Sequence, residues 1–377
     1  MLKHPKKLFA GLALALGIAV AAPSAHRHLR AASVLARFSD SQDKGKLANF
    51  DRYSVEEKPF CFAGEKEQLC GRIYSPRDIE HAPGIVLLHG VHPLGIEEPR
   101  LVSFARALSE SGVTVFTPPV TELADFRISP ASIPTIGLAA QALRYEVGRG
   151  PVGVIGFSFA GGLALLAAAD PRYANDIGFV AAIGAHHDLT RVARFFFTDQ
   201  IPAVNGKSIL IPAHEYGGAV LVYTKAEKFF PGEAEKARAA IRYWLMEQPE
   251  EAKLAEAKLS PLAHSRFEML HSRHFGDAVT DFLRIVEESR DEMAAVSPRG
   301  HLAGLRAHVY LLHGTEDDVI PVSEAGWLAS EIPSGLLKAK VLSAAIVHVD
   351  PTQTISAEER FELVHYIAGI LAETDRE

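Results

Sequence analysis

The chain has 377 residues, 48% of them hydrophobic and 23% charged, with a formal net charge of −7. That length is enough to bury a sizeable core, and the balance is that of an ordinary globular protein. The basic residues are scattered, which excludes the electrostatic footprint of a nucleic-acid binder, and there is no long charge run or repeat at solenoid spacing.

Lys3, Lys6 and Lys7 precede the apolar run Leu8 to Ala22, which closes on Pro23, Ser24 and Ala25. A basic start, an apolar stretch and small residues at its end describe a secretory signal peptide. Counted from 8 to 25 the run has 18 residues, at the lower edge of what spans a bilayer. Residues 1–25 are therefore either cleaved or kept as a membrane anchor. A buried N-terminal helix is the weaker reading, because the run is apolar all round. His26, Arg27, His28 and Arg30 follow directly, and such basic residues favour the cytoplasmic side, so cleavage and retention both stay open. Either outcome implies export to the cell envelope, as a periplasmic protein or on the outer face of the cytoplasmic membrane. Membrane contact is expected only if the segment is uncleaved.

Residues 26–52 are polar and mixed and read as a linker. Two β-like runs around the polar turn Gly64 to Gln68 then predict a hairpin. It carries the only two cysteines, Cys61 and Cys70. In an exported protein such a pair can bridge the arms; the alternative is two thiols packed as small apolar residues.

Beyond the hairpin the pattern alternates strand and helix. Strands are predicted at Gly84 to Leu88, Val113 to Phe116, Val152 to Ile155 and Phe179 to Ile183, with helical periodicity around Leu101 to Leu108, Ile136 to Val147 and Leu163 to Ala169. This argues an α/β protein with a mostly parallel, doubly wound sheet. The rhythm stops from His186 to Gly304, where Glu233 to Met246 and Asp277 to Val286 read as helices. It resumes with strands at Ala307 to Leu312 and Leu337 to Ala345, then a final helix opened by Ser356 and Glu359 as a capping box. The simplest architecture is a core of residues 53–185 and 305–374. It is interrupted by a helical cap, residues 186–304, over the carboxyl ends of the strands, since about 110 structureless residues are rare in a compact domain.

The sharpest chemical signal is Gly156-Phe157-Ser158-Phe159-Ala160-Gly161, between a buried strand and a helix. A serine there sits on a sharp turn with its hydroxyl exposed at the carboxyl edge of the sheet. The helix N-terminus favours negative charge, so the amide of Phe159 is a candidate oxyanion donor. Ala160 stands where G-x-S-x-G has its second glycine. A second signal is His313-Gly314-Thr315-Glu316-Asp317-Asp318-Val319-Ile320-Pro321, which places three acids just past a strand; a solvated turn would also explain them. The third is His348, after the last strand. Nucleophile, acid and base in the order Ser158, acid, His348 suit a triad in which the acid holds the imidazole and the imidazole takes the serine proton.

On these residues the chain resembles the α/β-hydrolase superfamily over about residues 53–374. Gly156 to Gly161 is similar to the nucleophile elbow. His313 to Pro321 resembles the family's His-Gly-x-x-Asp-x-x-Val-Pro pattern, which puts the acid at Asp317, with Ile320 in the Val position. His89-Gly90-Val91 resembles the His-Gly-x oxyanion turn, which makes the Val91 amide a second donor; it has one glycine, not the triple-Gly form. The core is most similar to dienelactone-hydrolase and prolyl-oligopeptidase-like bacterial hydrolases. The resemblance implies a serine hydrolase, with a carboxylic ester as the expected bond class, acting on a small-molecule acyl substrate (ester, thioester or amide). The catalytic residues would be Ser158, Asp317 and His348, and the oxyanion hole Val91 and Phe159. An acyltransferase with the same triad and a non-catalytic binding protein of this fold are the alternatives. No cofactor fingerprint and no metal requirement is read. His186-His187-Asp188, His264, His271 and His274 lack a known metal spacing. His92, beside the oxyanion turn, is placed facing the pocket and His186 and His187 at the site rim, and Phe195, Phe196, Phe197, Phe229 and Phe230 fit either a pocket lining or core packing.

Overall fold

The computed structural model describes residues 23–344 and 356–376. Residues 23–39 form helix α1. The core continues with β1 (Val55–Ala63), β2 (Gln68–Pro76), β3 (Gly84–Leu88), α2 (Pro99–Ser109), β4 (Thr114–Thr117), the single turn α3 (Thr121–Ala124), α4 (Ser132–Val147), β5 (Val152–Phe157), α5 (Phe159–Ala169) and β6 (Ile177–Ile183). Then come α6 (Leu189–Thr198), the small hairpin β7 (Gln200–Pro202) and β8 (Ser208–Leu210), α7 (Glu215–Thr224), α8 (Ala226–Phe229), α9 (Ala234–Leu245), α10 (Pro249–Glu256), α11 (Pro261–Ser272), α12 (Val279–Glu288) and α13 (Arg290–Ala294). The chain closes with β9 (His308–Gly314), α14 (Ser323–Glu331), β10 (Leu337–Ser343) and α15 (Ala357–Thr374).

The eight-stranded sheet has the order β1-β2-β4-β3-β5-β6-β9-β10. β1 and β2 pair antiparallel, β2 runs antiparallel to β4, and every pairing from β4 to β10 is parallel. The period of two along the central strands divides the core. Val86, Leu88, Val154, Val180 and Leu311 pack on one face with α4 and α5, whereas Ile85, Leu87, Ile155, Phe179 and Leu312 pack on the other with α2 and α15. The capping box of Ser356 and Glu359 opens α15 as the sequence predicts.

Residues 26–52 are more than a linker. α1 buries Ala31 and Val34 against the α2 and α15 face. Its Arg37, 3% exposed, donates to the carbonyls of Ala48 and Ala107 at 2.9 Å each and pairs with Glu110 at 2.9 Å. A polar residue spacing hides such a helix, because its anchor is a buried guanidinium that composition counts as surface. Among the described residues no helix is long and apolar enough to cross a membrane. The run Leu8 to Ala22 lies outside the described residues.

The insertion is mainly helical and its two ends meet. His186 Nε2 donates to Val296 O at 2.8 Å, Arg299 N to His187 O at 3.0 Å and Leu189 N to Ser297 Oγ at 2.9 Å. Glu324 of α14, 1% exposed, fastens the entry. Its carboxylate accepts the amides of His187 and Asp188 at 2.8 and 2.9 Å and Arg191 Nε at 2.5 Å. The insertion reaches loops at the carboxyl ends of three strands: Tyr216 to Val91 past β3, Thr224 to Phe126 past β4, and His214 to Asp318 past β9. Phe195, Phe196, Phe197, Phe229 and Phe230 are all buried, and Phe197 packs on Phe229, Phe275 and Phe282 at 5.1–6.0 Å, so they serve core packing, in one cluster with the α4 and α5 face.

Cys61 and Cys70 face each other in the β1–β2 register and are bridged. Titration of the denatured, unreduced protein should therefore find no free thiol, and two would contradict the bridge. The bond closes a loop with a sequence separation of only 9, so its reduction should lower stability by about 2–3 kcal/mol at most.

Candidate active site

In this strand order the chain leaves β3 toward β4 on one side and returns to add β5 on the other. That reversal opens a crevice at the carboxyl ends of β3 and β5, where ligands of open parallel sheets bind. His89-Gly90-Val91 follows β3 and Ser158 follows β5, so both sequence-predicted turns flank the crevice.

Ser158 has φ 56° and ψ −134°, a conformation that L-residues avoid and that costs on the order of 1–3 kcal/mol. Two hydrogen bonds hold it: Ser158 N donates to Ile183 O at 2.7 Å, and Gly161 N to Ser158 O at 3.0 Å. The turn is sharp enough that β5 and α5 nearly touch. A Cβ on Gly156 would lie 2.8 Å from the Ala160 backbone, and one on Gly161 would lie 2.8 Å from Ala185 Cβ and 2.9 Å from Gly156 O. Ala160 itself is fully buried without displacing the turn. The second obligatory glycine is thus Gly161, one residue beyond the motif position that Ala160 fills. Phe159, 1% exposed, supplies the first amide of α5, which by its position has no acceptor within the helix.

Gly90 faces this turn: a Cβ on it would stand 3.4 Å from Ser158 Cβ. The adjoining His89 is buried. A carbonyl only accepts, so its Nδ1 donates to Gly90 O at 2.7 Å, and Nε2 accepts Val120 N at 3.4 Å. Burial pushes its pKa below the usual imidazole value, which keeps the ring neutral as this pattern requires. The Gly90–Val91 peptide is planar and trans, so pinning Gly90 O on His89 turns the Val91 N–H the opposite way.

Asp317, in the turn just past β9, is 2% exposed. Its Oδ1 accepts the amides of Val319 and Ile320 at 3.0 and 2.8 Å, and Oδ2 lies 3.5 Å from His313 Nε2. Oδ1 is thus committed to the turn. His313 Nε2 donates to Ile320 O at 2.7 Å, which folds the turn back on its strand. The acid and serine turns are linked through β6, since Gly184 N donates to Leu312 O at 2.8 Å while Ile183 O takes Ser158 N. Ser158, Phe159, Val91 and Asp317 therefore all lie at the carboxyl edge. His348 lies outside the described residues.

Two histidines placed at the rim by sequence are structural. His186 is fully buried against the Phe159 ring at 5.3 Å, and burial lowers its pKa. His187 Nε2 bonds Glu331 at 2.6 Å, and its Nδ1 accepts from Arg191 at 3.1 Å. His92 Nδ1 accepts the Leu94 amide at 3.2 Å. His264 pairs with Glu256 at 3.1 Å, and with Glu268 these are the described side chains that could together hold a metal ion. The contact that sequence reasoning missed is Tyr216, whose hydroxyl reaches Val91 O at 2.5 Å across 125 residues of chain; nothing local in the sequence signals it.

Gly156→Ala should be destabilising by about 1–3 kcal/mol, because the added methyl meets backbone that no rotamer change can move. Urea unfolding checks this, and an unchanged midpoint would contradict so close a contact.

No family model matches the chain, and no curated protein matches it. Solved structures do. An acylaminoacyl peptidase in complex with Z-Gly-Gly-Phe-chloromethyl ketone superposes with TM-score 0.50 at 12% identity, over 86% of this chain and 42% of that one. The Pyrococcus horikoshii acylaminoacyl peptidase gives TM-score 0.50 at 12% identity over 83% and 40%. A Pyrobaculum calidifontis esterase gives 0.48 at 16% identity over 91% of both chains. The chain spans less than half the length of the two peptidases. With the strand order and the turn at Ser158, the two peptidase superpositions fix the architecture: the chain has the α/β-hydrolase fold.

Proposed function

We propose that the protein is a serine hydrolase that cleaves an ester, thioester or amide of a small acyl substrate through an acyl-enzyme on Ser158. The observation that carries this reading is the strained Ser158 backbone, at the switch point between β3 and β5, with Gly90 across from it. Strain of this kind persists only where the surroundings enforce it, and here it lifts a hydroxyl out of a tight turn. The acylaminoacyl peptidases that share the fold are peptidases by name, and a peptide bond is an amide, which is in keeping with the reading.

In this mechanism His348 takes the Ser158 proton as Oγ attacks the acyl carbon, and Asp317 holds the imidazole from its other nitrogen. The carbonyl oxygen becomes an oxyanion between the amides of Val91 and Phe159, where the start of α5 adds a favourable field. His348 then protonates the leaving group, and a water activated by the same imidazole releases the acid. The apolar N-terminal run and the Cys61–Cys70 bridge together favour export to the cell envelope, where the bridge is stable.

Ser158→Ala should lower turnover of p-nitrophenyl acetate by several powers of ten, since no acyl-enzyme can form. Asp317→Asn should cost far more activity than Asp318→Asn, because Asp317 is the acid whose carboxylate the turn buries and orients. Near wild-type turnover in the serine variant would refute the mechanism, and equal losses at the two acids would refute the assignment of the acid.

A further inference from the structure

The first turn of α7 touches both loops on which the proposed chemistry depends. His214 caps the helix, its Nδ1 accepting Tyr216 N at 3.1 Å, while its own backbone N–H donates to Asp318 O at 2.8 Å in the acid turn. Two residues on, the Tyr216 hydroxyl donates to Val91 O at 2.5 Å in the turn after β3. Three consecutive cap residues thus span the mouth of the crevice from the β9 side to the β3 side.

We propose that this turn is a strap and that Tyr216 is a positioning residue for the Val91 oxyanion donor, an inference that rests on the serine-hydrolase reading. Val91 lies between two peptide planes. The plane before it is held from the core, by His89 on Gly90 O; the plane after it is held from the cap, by Tyr216 on Val91 O. With both carbonyls fixed, the torsions of Val91 have little freedom, and its N–H keeps one direction. Without the Tyr216 bond only the first plane is held, and the turn can rotate as the oxyanion forms. Burial raises the phenol pKa far above its usual value, so the group stays a proton donor at any working pH. The hydroxyl bonds a carbonyl, not the substrate, so its effect on the reaction passes through Val91. The strap also makes the seated cap a condition for an ordered oxyanion site, so that catalytic competence follows cap position.

The test compares Tyr216→Phe with Tyr223→Phe, using p-nitrophenyl acetate on the full-length protein. Tyr223 is on the same helix, and its hydroxyl bonds Asp125 at 3.2 Å, a cap–core tie away from the proposed machinery. Tyr216→Phe should lower kcat by roughly threefold to tenfold with KM within about twofold, as expected when one hydrogen bond acts mainly in the transition state. Tyr223→Phe should leave both constants unchanged. Unchanged kcat in Tyr216→Phe would overturn the strap, as would an equal fall in Tyr223→Phe, which would mean that any loosening of the cap suffices. Either result with Ser158-dependent wild-type activity spares the hydrolase reading; absence of that activity in wild type overturns both.

Discussion

The arrangement depends on how closely β5 and α5 approach at Ser158. A strand that turns into a helix within one residue brings the Gly156 backbone against Ala160 and Gly161, leaving no room for a β-carbon at either glycine. The same tightness holds Ser158 in a positive-φ conformation at the sheet edge. Much of the rest of the crevice serves that turn. Ile183 accepts the serine amide, Gly90 leaves space on the facing side, and the end of β6 carries the constraint across to β9 and its buried acid.

The insertion adds a second layer of constraint. Its entry and exit are stitched together, and Glu324 gathers two backbone amides and an arginine at the entry, a costly burial that is offset by three hydrogen bonds to one carboxylate. The insertion's phenylalanines pack on one another and continue the apolar layer of the α4 and α5 face. The insertion therefore extends the core, and its polar contacts fall on the loops that hold the proposed catalytic groups.

Much of this was legible in the sequence, for identifiable reasons. Buried parallel strands are short apolar runs, so β3, β5, β6 and β9 stand out, and the capping box of α15 is a two-residue signature. The candidate site was legible because sharp turns restrict residue type: Gly156 and Gly161 mark places where strand and helix meet too closely for a β-carbon. What was not legible depends on distant partners. α1 looks like linker because Arg37 finds its carbonyls and Glu110 only in the fold. His186 and His187 look like rim residues because their acceptors, Val296 and Glu331, lie more than a hundred residues away. Tyr216 carries no sign of its bond to Val91 for the same reason.

Whether Ser158 is an activated nucleophile can be read by covalent trapping. The folded protein would be treated with a fluorophosphonate near neutral pH and digested, and the adduct located by mass spectrometry. A single adduct on Ser158 is expected, lost when the protein is first unfolded in urea, because activation comes from the folded turn and not from the serine itself. No adduct on the folded protein, or an adduct on another residue, would contradict an activated Ser158.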